Sequence, residues 1–151
     1  MLSAIRQFFA EQLNPSEERT DDVHALHLAS AMLLLEVSRA DFSVDDAELD
    51  VVAEALRRQF DFSAEEIREL LALAKRHSDE AHSLHAFLRL INENCDADEK
   101  ARMVEDLWRV AYADDRLDKY EEHQIRRIAE LLYVPHATFI RAKHRILAER
   151  S

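Results

Sequence analysis

The sequence contains no glycine in 151 residues, and it has only two prolines. Glycine supplies the positive-φ positions of tight hairpin turns and lets the backbone approach phosphate closely in nucleotide-binding loops. The sequence therefore excludes a P-loop and a dinucleotide-binding fingerprint, and it lacks the favoured residue of type I′ hairpins. Such a composition favours helices.

Apolar residues recur at helical spacing along the whole chain, and no segment alternates with a period of two. This pattern predicts an all-α, single-domain bundle of about seven to eight helices with short connections. The stretch "LASAMLLLEV" is apolar nearly all round, which is typical of a central, buried helix. The predicted helices begin near residues 2, 21, 44, 63, 83, 96, 119 and 135.

Local signals support several of these helices. Capping residues stand at three predicted starts, paired as Ser43 with Asp46, Ser63 with Glu66, and Asp96 with Glu99. Five aromatic residues at helical spacing are predicted to lie in the core, namely Phe87, Trp108, Tyr112, Tyr133 and Phe139. The first helix has a single basic residue, so we expect it to dock on the bundle rather than on a membrane surface.

The charge of the chain limits its partners. The net charge is −11 with neutral histidines, which argues against a nucleic-acid partner and favours cations or a basic protein surface. No apolar stretch is long enough to span a bilayer, and the start has no cleavable signal pattern. The lone Cys95 suits a reducing compartment, and its acidic neighbours would raise the thiol pKa. We expect a cytoplasmic protein with an unknown protein partner. Any peripheral association with a membrane would arise through that partner.

One acidic phrase occurs twice in the chain. "RADFSVDDAEL" covers residues 39–49, and "YADDRLDKYEE" follows 73 positions later at 112–122. Nine of 35 ungapped positions are identical between the two regions. The repeat predicts one domain over residues 1–151 with related halves at about 23–77 and 96–150. The carboxylates common to both copies are Asp41, Asp45, Glu48, Asp114, Asp118 and Glu121.

Two interpretations of this repeated motif, A-D-x-x-(V/L)-D-x-x-E, remain open. Acidic residues favour helix N-termini and tight turns, so duplicated caps would need no ligand. Alternatively, carboxylates brought together repel one another unless a cation neutralises them, and their oxygens suit Ca²⁺, Mg²⁺ or Mn²⁺. The motif is not an EF-hand, because Asp46 stands at loop position six instead of glycine and Val52 at position twelve instead of glutamate.

The paired motif resembles the tellurite-resistance TerB-like family, and "SLHAFLRLINENC" before the second copy is also similar to it. Phe42 and Asp115 stand where members of that family commonly have glycine. The resemblance covers about residues 23–146. It implies a helical bundle with pseudo-repeated halves, an acidic metal site at the six shared carboxylates, and a link to tellurite resistance or stress response. It also implies no enzymatic activity, and related domains are fused to J-domain co-chaperones.

Other functions have weaker support in the sequence. His24 and His27 are three residues apart, as are His82 and His85, but closed zinc sites favour cysteine-rich ligand sets. We therefore expect packing or solvated histidines. No residue set supplies a nucleophile with a base, so an enzyme using an acidic cleft is unsupported. The alternative to cation binding is an acidic protein-interaction module or scaffold that needs no metal.

Overall fold

Eight helices form from the segments in which apolar residues recur every three or four positions. The computed structural model describes residues 2–12, 21–40, 45–79, 83–113 and 118–149, with backbone only at residues 78, 83 and 118–121. The helices are α1 (Ser3–Gln12), α2 (Asp22–Ala40), α3 (Asp46–Phe60), α4 (Ala64–Asp79), α5 (Ser83–Asn94), α6 (Ala97–Ala113), α7 (Asp118–Leu131) and α8 (His136–Glu149). These elements confirm the all-α prediction.

Helix α2 lies at the centre of the bundle, as its apolar sequence predicts. It packs against α1, α3, α4, α6 and α7, and every residue from Leu28 to Ser38 is buried. The buried Ser30 hydroxyl donates to the Leu26 carbonyl oxygen at 3.0 Å, so its polar group is satisfied inside the helix. Glu36 is the one charged residue of α2 within this buried stretch.

Helix α6 organises the second half of the chain. It packs against α7 and α8, while α2 packs against α3 and α4. Trp108 is 1% exposed, and its ring lies 5.2 Å from the Phe139 ring of α8 and 5.6 Å from Tyr112. The prediction that Trp108, Phe87 and Phe139 lie in the core is confirmed.

Tyr133 is a different case, because the prediction that it lies in the core is wrong. Its side chain is 81% exposed, and its backbone is left-handed with φ 59°. Tyr133 follows the end of α7, where the Val134 N–H donates to the Ala129 carbonyl oxygen at 2.8 Å. This is a Schellman-type helix end, whose left-handed position is usually glycine. In a chain without glycine, Tyr133 and the equivalent Asp61 after α3 (φ 56°) occupy that position.

Two of the predicted helix caps are confirmed by reciprocal hydrogen bonds. The Ser63 N–H donates to Glu66 Oε1, and the Glu66 N–H donates to Ser63 Oγ, both at 3.0 Å. Asp96 and Glu99 exchange two equivalent bonds at 2.8 Å. These capping boxes satisfy N–H groups that have no partner within the helix.

The predicted start of α3 is wrong by two residues. The helix begins at Asp46 with Asp45 as its N-cap, whereas the sequence suggested a cap at Ser43. Asp45 is the better acceptor for the first helical N–H groups, because its carboxylate complements the positive end of the helix dipole. Ser43 itself lies outside the described residues.

Helix α1 docks on the bundle, as predicted. Its residues Ile5 and Phe9 are buried, and it packs mainly on α2 and α5. Among the described residues, no helix combines the length and the apolar character that crossing a membrane requires.

Candidate functional site

The first acidic turn is built around the N-terminus of α3. Asp45 has an extended backbone, and its Oδ1 accepts the Glu48 N–H at 2.8 Å. The Leu49 N–H donates to the Asp45 carbonyl oxygen at 2.9 Å. One carboxylate oxygen of the exposed Asp45 is therefore engaged in capping, and Oδ2 remains available to a ligand.

Glu48 lies one turn into α3 and is half-buried. Its Oε2 is removed from solvent and has no hydrogen-bond partner among the described residues. A buried acceptor without a donor costs about 1–3 kcal/mol, and more if it is charged. A carboxylate oxygen in this situation suits a hard cation, which would compensate for its lost hydration. This atom is the observation in the structure that fits metal binding.

The other predicted ligands are only partly described. Asp118 and Glu121 lie in the first turn of α7, where the structure gives backbone alone. Asp41 and Asp114 lie outside the described residues. Among the side chains that are described, no three histidine, cysteine, aspartate or glutamate residues form a metal-binding group. The structure thus shows a hydrogen bond from the Glu48 N–H to the Asp45 carboxylate, and the convergence of all six carboxylates stays a prediction.

A groove of about 410 Å³ lies beside the first acidic turn. The end of α2 contributes Arg39, α3 contributes Asp46 and Asp50, and α4 contributes Lys75. Leu49 and Leu71 give this groove an apolar part. The mixture of both charge signs sets it apart from the purely acidic turn, so the two surfaces suit different ligands.

Three histidines form contacts that the sequence did not reveal. His24 Nε2 lies 2.7 Å from Glu66 Oε2, and His27 Nε2 lies 3.4 Å from Asp106 Oδ2. In each pair, the histidine on α2 meets a carboxylate on α4 or α6. Sequence separations of 42 and 79 residues gave no local signal for them. They act as packing contacts that tie the central helix to its neighbours.

The third pair is the most buried of the three. His77 Nδ1 on α4 lies 2.5 Å from Glu36 Oε1 on α2, and their side chains are 12% and 2% exposed. Burial raises the pKa of Glu36 to about 8, because the charged form loses its hydration. Glu36 Oε2 has no hydrogen-bond partner among the described residues. We refer to these two residues as the Glu36–His77 pair.

The larger groove, about 600 Å³, lies between the start of α2, α6 and α8. Two of its arginines are held by carboxylates: Arg109 Nη1 lies 2.7 Å from Asp106, and Arg145 Nη1 lies 3.3 Å from Glu105. Arg109 also contacts Glu149 at 3.1 Å. Arg102 also lines the groove, but so do the acids Asp98, Glu105 and Asp106, so the groove has little net charge with which to attract an anion.

Cys95 does not offer a nucleophile. Its pKa is raised to about 11, mainly because burial penalises the thiolate and further because Glu99 lies nearby. The thiol is therefore protonated at neutral pH and unreactive. The expected direction of the pKa change is confirmed, although burial contributes more than the acidic neighbours that the sequence pointed to.

Comparison with known proteins agrees with the resemblance seen in the sequence. The family model described as "Tellurite resistance protein TerB" matches residues 27–144, from the second turn of α2 to the middle of α8. Neither the curated proteins nor the solved structures gave a match. Since the family model covers well over half of the chain, including both acidic turns, the chain belongs to the TerB family of tellurite resistance proteins.

Proposed function

We propose that this chain is a non-enzymatic, cytoplasmic domain that binds a divalent cation through its duplicated acidic turns. Membership of the TerB family links it to tellurite resistance. The cation is Ca²⁺, Mg²⁺ or Mn²⁺, because the candidate ligands are carboxylate oxygens. The six candidate ligands are Asp41, Asp45, Glu48, Asp114, Asp118 and Glu121.

The observation that supports this proposal is the buried, unpartnered Oε2 of Glu48. A capping role alone accounts for Asp45, whose Oδ1 accepts the Glu48 N–H. It does not account for Glu48 Oε2, which is buried and accepts no hydrogen bond from a described residue. A cation at this turn would contact Glu48 Oε2 and the second oxygen of Asp45, and it would reduce the repulsion between the two carboxylates.

Calorimetric titration of chelator-treated protein with each cation tests the proposal. Glu48→Gln keeps the size of the side chain and removes its charge, so we expect at least tenfold weaker binding, or about 1.4 kcal/mol. Asp45→Asn keeps a good N-cap and should weaken binding without destabilising α3. Glu130→Gln is the matched control, since this exposed residue lies ~18 Å along α7 from Asp118. Unchanged affinity in Glu48→Gln would contradict the proposal.

The same titration distinguishes one shared ion from one ion at each turn. If both copies hold one ion, Asp41→Asn and Asp114→Asn should each abolish most of the binding. If each turn holds its own ion, each substitution should halve the stoichiometry and leave the remaining site intact. Binding that depends on one copy alone would contradict the shared site.

A second candidate function is recruitment of a basic protein partner without metal, as a scaffold. The observation that favours it is the set of exposed acids along the first part of α3, Asp45, Asp46 and Asp50, of which the last two also line the groove with Arg39 and Lys75. Such a surface attracts cationic partners and loses them at high ionic strength. A partner captured equally with and without chelator, and released by salt, would favour this function over cation binding.

A further inference from the structure

The Glu36–His77 pair is a buried polar element that the proposed cation site does not use. Glu36 Oε1 contacts His77 Nδ1, and Glu36 Oε2 has no donor among the described residues. A carboxylate with one unsatisfied, dehydrated oxygen is strongly disfavoured relative to the neutral acid. The pair is therefore most stable when it holds one proton between the carboxyl group and the imidazole.

A continuous row of aromatic rings connects this pair to α1. The His77 ring lies 6.3 Å from the Phe87 ring of α5. Phe87 lies 5.2 Å from Phe8 and 6.1 Å from Phe9, both on α1. His77 therefore lies beside Phe87, which is part of the surface that holds α1.

Helix α1 is the element of the bundle best suited to detach. It has ten residues, and isolated helices of this length are marginal in water. It packs mainly on α2 and α5, so its release would break few contacts with the other helices. It also lies before residue 27, where the match to the TerB family begins. Of the buried core residues that the structure describes, Leu2, Ile5 and Phe9 come from α1 and the residue before it, and the others come from the rest of the bundle, which would keep them when α1 leaves.

We propose that the Glu36–His77 pair is a proton-controlled latch for α1, which holds this helix docked while the pair keeps its proton and releases it when the proton is lost. In this proposal, release of α1 uncovers the Phe87 ring beside His77, so that water reaches the pair and the charge of Glu36 is no longer buried. The aromatic surface of α5 around Phe87 becomes accessible at the same time. The proton is thus the ligand that controls exposure of this surface.

Other ionisable groups on the packed elements do not compete for this role. Glu36 has no hydrogen bond or ion pair among the described residues except with His77, so α3, α6 and α7 supply no charged partner to it. On α2 itself, Arg39 is half-buried. Arg6 of α1 lies 3.6 Å from Asp22 at the opposite end of α2 from Glu36. The other charged or titratable groups in the nearby parts of α1, α4 and α5 are exposed, namely Glu11, Lys75, Arg76, Asp79, His85, Arg89 and Glu93.

The direction of the effect follows from proton counting. Burial keeps Glu36 protonated up to a pKa of about 8, compared with an ordinary value of 4.5. When α1 is released and the pair is hydrated, an imidazole with its ordinary pKa of ~6.5 holds one proton at a pH below that value. At a higher pH, neither group of the hydrated pair holds a proton. The equilibrium constant for docking of α1 should therefore fall between pH ~6.5 and about 8, by up to tenfold for each pH unit. Above that range it should stay constant.

Hydrogen–deuterium exchange of the α1 amides from pH 6 to 9.5 tests the latch, with protection factors corrected for the intrinsic exchange rate. In the wild-type chain we expect α1 protection to fall about 30-fold and then level off, while α6 stays protected. Glu36→Gln removes the titratable carboxyl group, so its α1 protection should not depend on pH above pH ~6.5, where the imidazole is neutral. Asp106→Asn, which removes the carboxylate paired with His27, is the matched control and should behave like the wild-type chain.

Two results would overturn the latch. The first is α1 protection that is constant with pH in the wild-type chain, a measurement that needs no variant to fold. The second is an equal loss of α1 protection in Glu36→Gln and in the wild-type chain, which would assign the pH dependence to another group.

Discussion

Replacement of Glu36 by glutamine should change how the stability of the whole domain depends on pH. Glutamine keeps the shape of the buried side chain and can still hydrogen-bond to His77, but it carries no titratable proton. The wild-type glutamate keeps its proton up to about pH 8 in the folded chain, compared with 4.5 for an ordinary glutamate. The folded state therefore binds more protons than the unfolded state, and stability must fall as the pH rises.

The size of this fall can be worked out from the pair. If Glu36 is taken alone, its contribution to the free energy of unfolding is fully present below pH 4.5 and is lost by about pH 8. At ~1.4 kcal/mol for each pH unit, this contribution amounts to roughly 5 kcal/mol. In the unfolded chain His77 takes up a proton below pH ~6.5, so both states of the pair then hold one proton. The net fall is consequently confined to pH 6.5–8 and is about 2 kcal/mol.

Urea unfolding at pH 6, 7, 8 and 9 measures this difference directly. The free energy of unfolding of the wild-type chain minus that of Glu36→Gln should decrease by about 2 kcal/mol between pH 6 and 8.5 and then stay level. Glu130→Gln, an exposed substitution, should run parallel to the wild type. A difference between wild type and Glu36→Gln that stays constant within about 0.5 kcal/mol over this range would refute the reasoning.

Three further results are expected. Tyr133→Gly should stabilise the domain by roughly 1 kcal/mol, or about 2–4 °C in Tm, because a tyrosine with left-handed backbone angles is strained. Glu130→Gly is the control: position 130 has a normal helical conformation, so glycine there should destabilise the domain by a similar amount. Ser63→Ala should cost about 1 kcal/mol in urea unfolding, since the Glu66 N–H loses its acceptor; no loss would contradict the capping box. Cys95 should react with a thiol reagent at pH 8 about 100-fold more slowly in the folded than in the urea-unfolded chain, because its pKa is about 11 rather than 9; equal rates would contradict its burial.

The features that sequence reasoning predicted correctly depend on neighbouring residues. Apolar spacing fixed the helices because each helix needs one buried face, and the apolar character of α2 on all sides marked it as central. The capping box of Ser63 and Glu66 spans three residues, so it can be read directly from the sequence. The start of α3 was misplaced because several capping residues compete within "SVDD", and only the backbone shows that Asp45 is the cap.

The features that were missed depend on contacts between distant parts of the chain. Glu36 and His77 are 41 residues apart, and nothing in the sequence around either one marks it as a partner of the other. A charged residue in the apolar stretch "LASAMLLLEV" was the available signal, since a buried acid requires a partner from another helix. Tyr133 was misplaced because helical spacing was extended past Leu131, where the chain leaves α7 and turns the tyrosine outward.

The most direct test of cation binding is calorimetric titration of the chelator-treated chain with Ca²⁺, Mg²⁺ and Mn²⁺, run beside Glu48→Gln. Cation binding by the acidic turns predicts saturable heat and a raised Tm with at least one of these ions, and at least tenfold weaker binding in the variant. No heat and no change in Tm with any ion, or equal binding by both proteins, would contradict it.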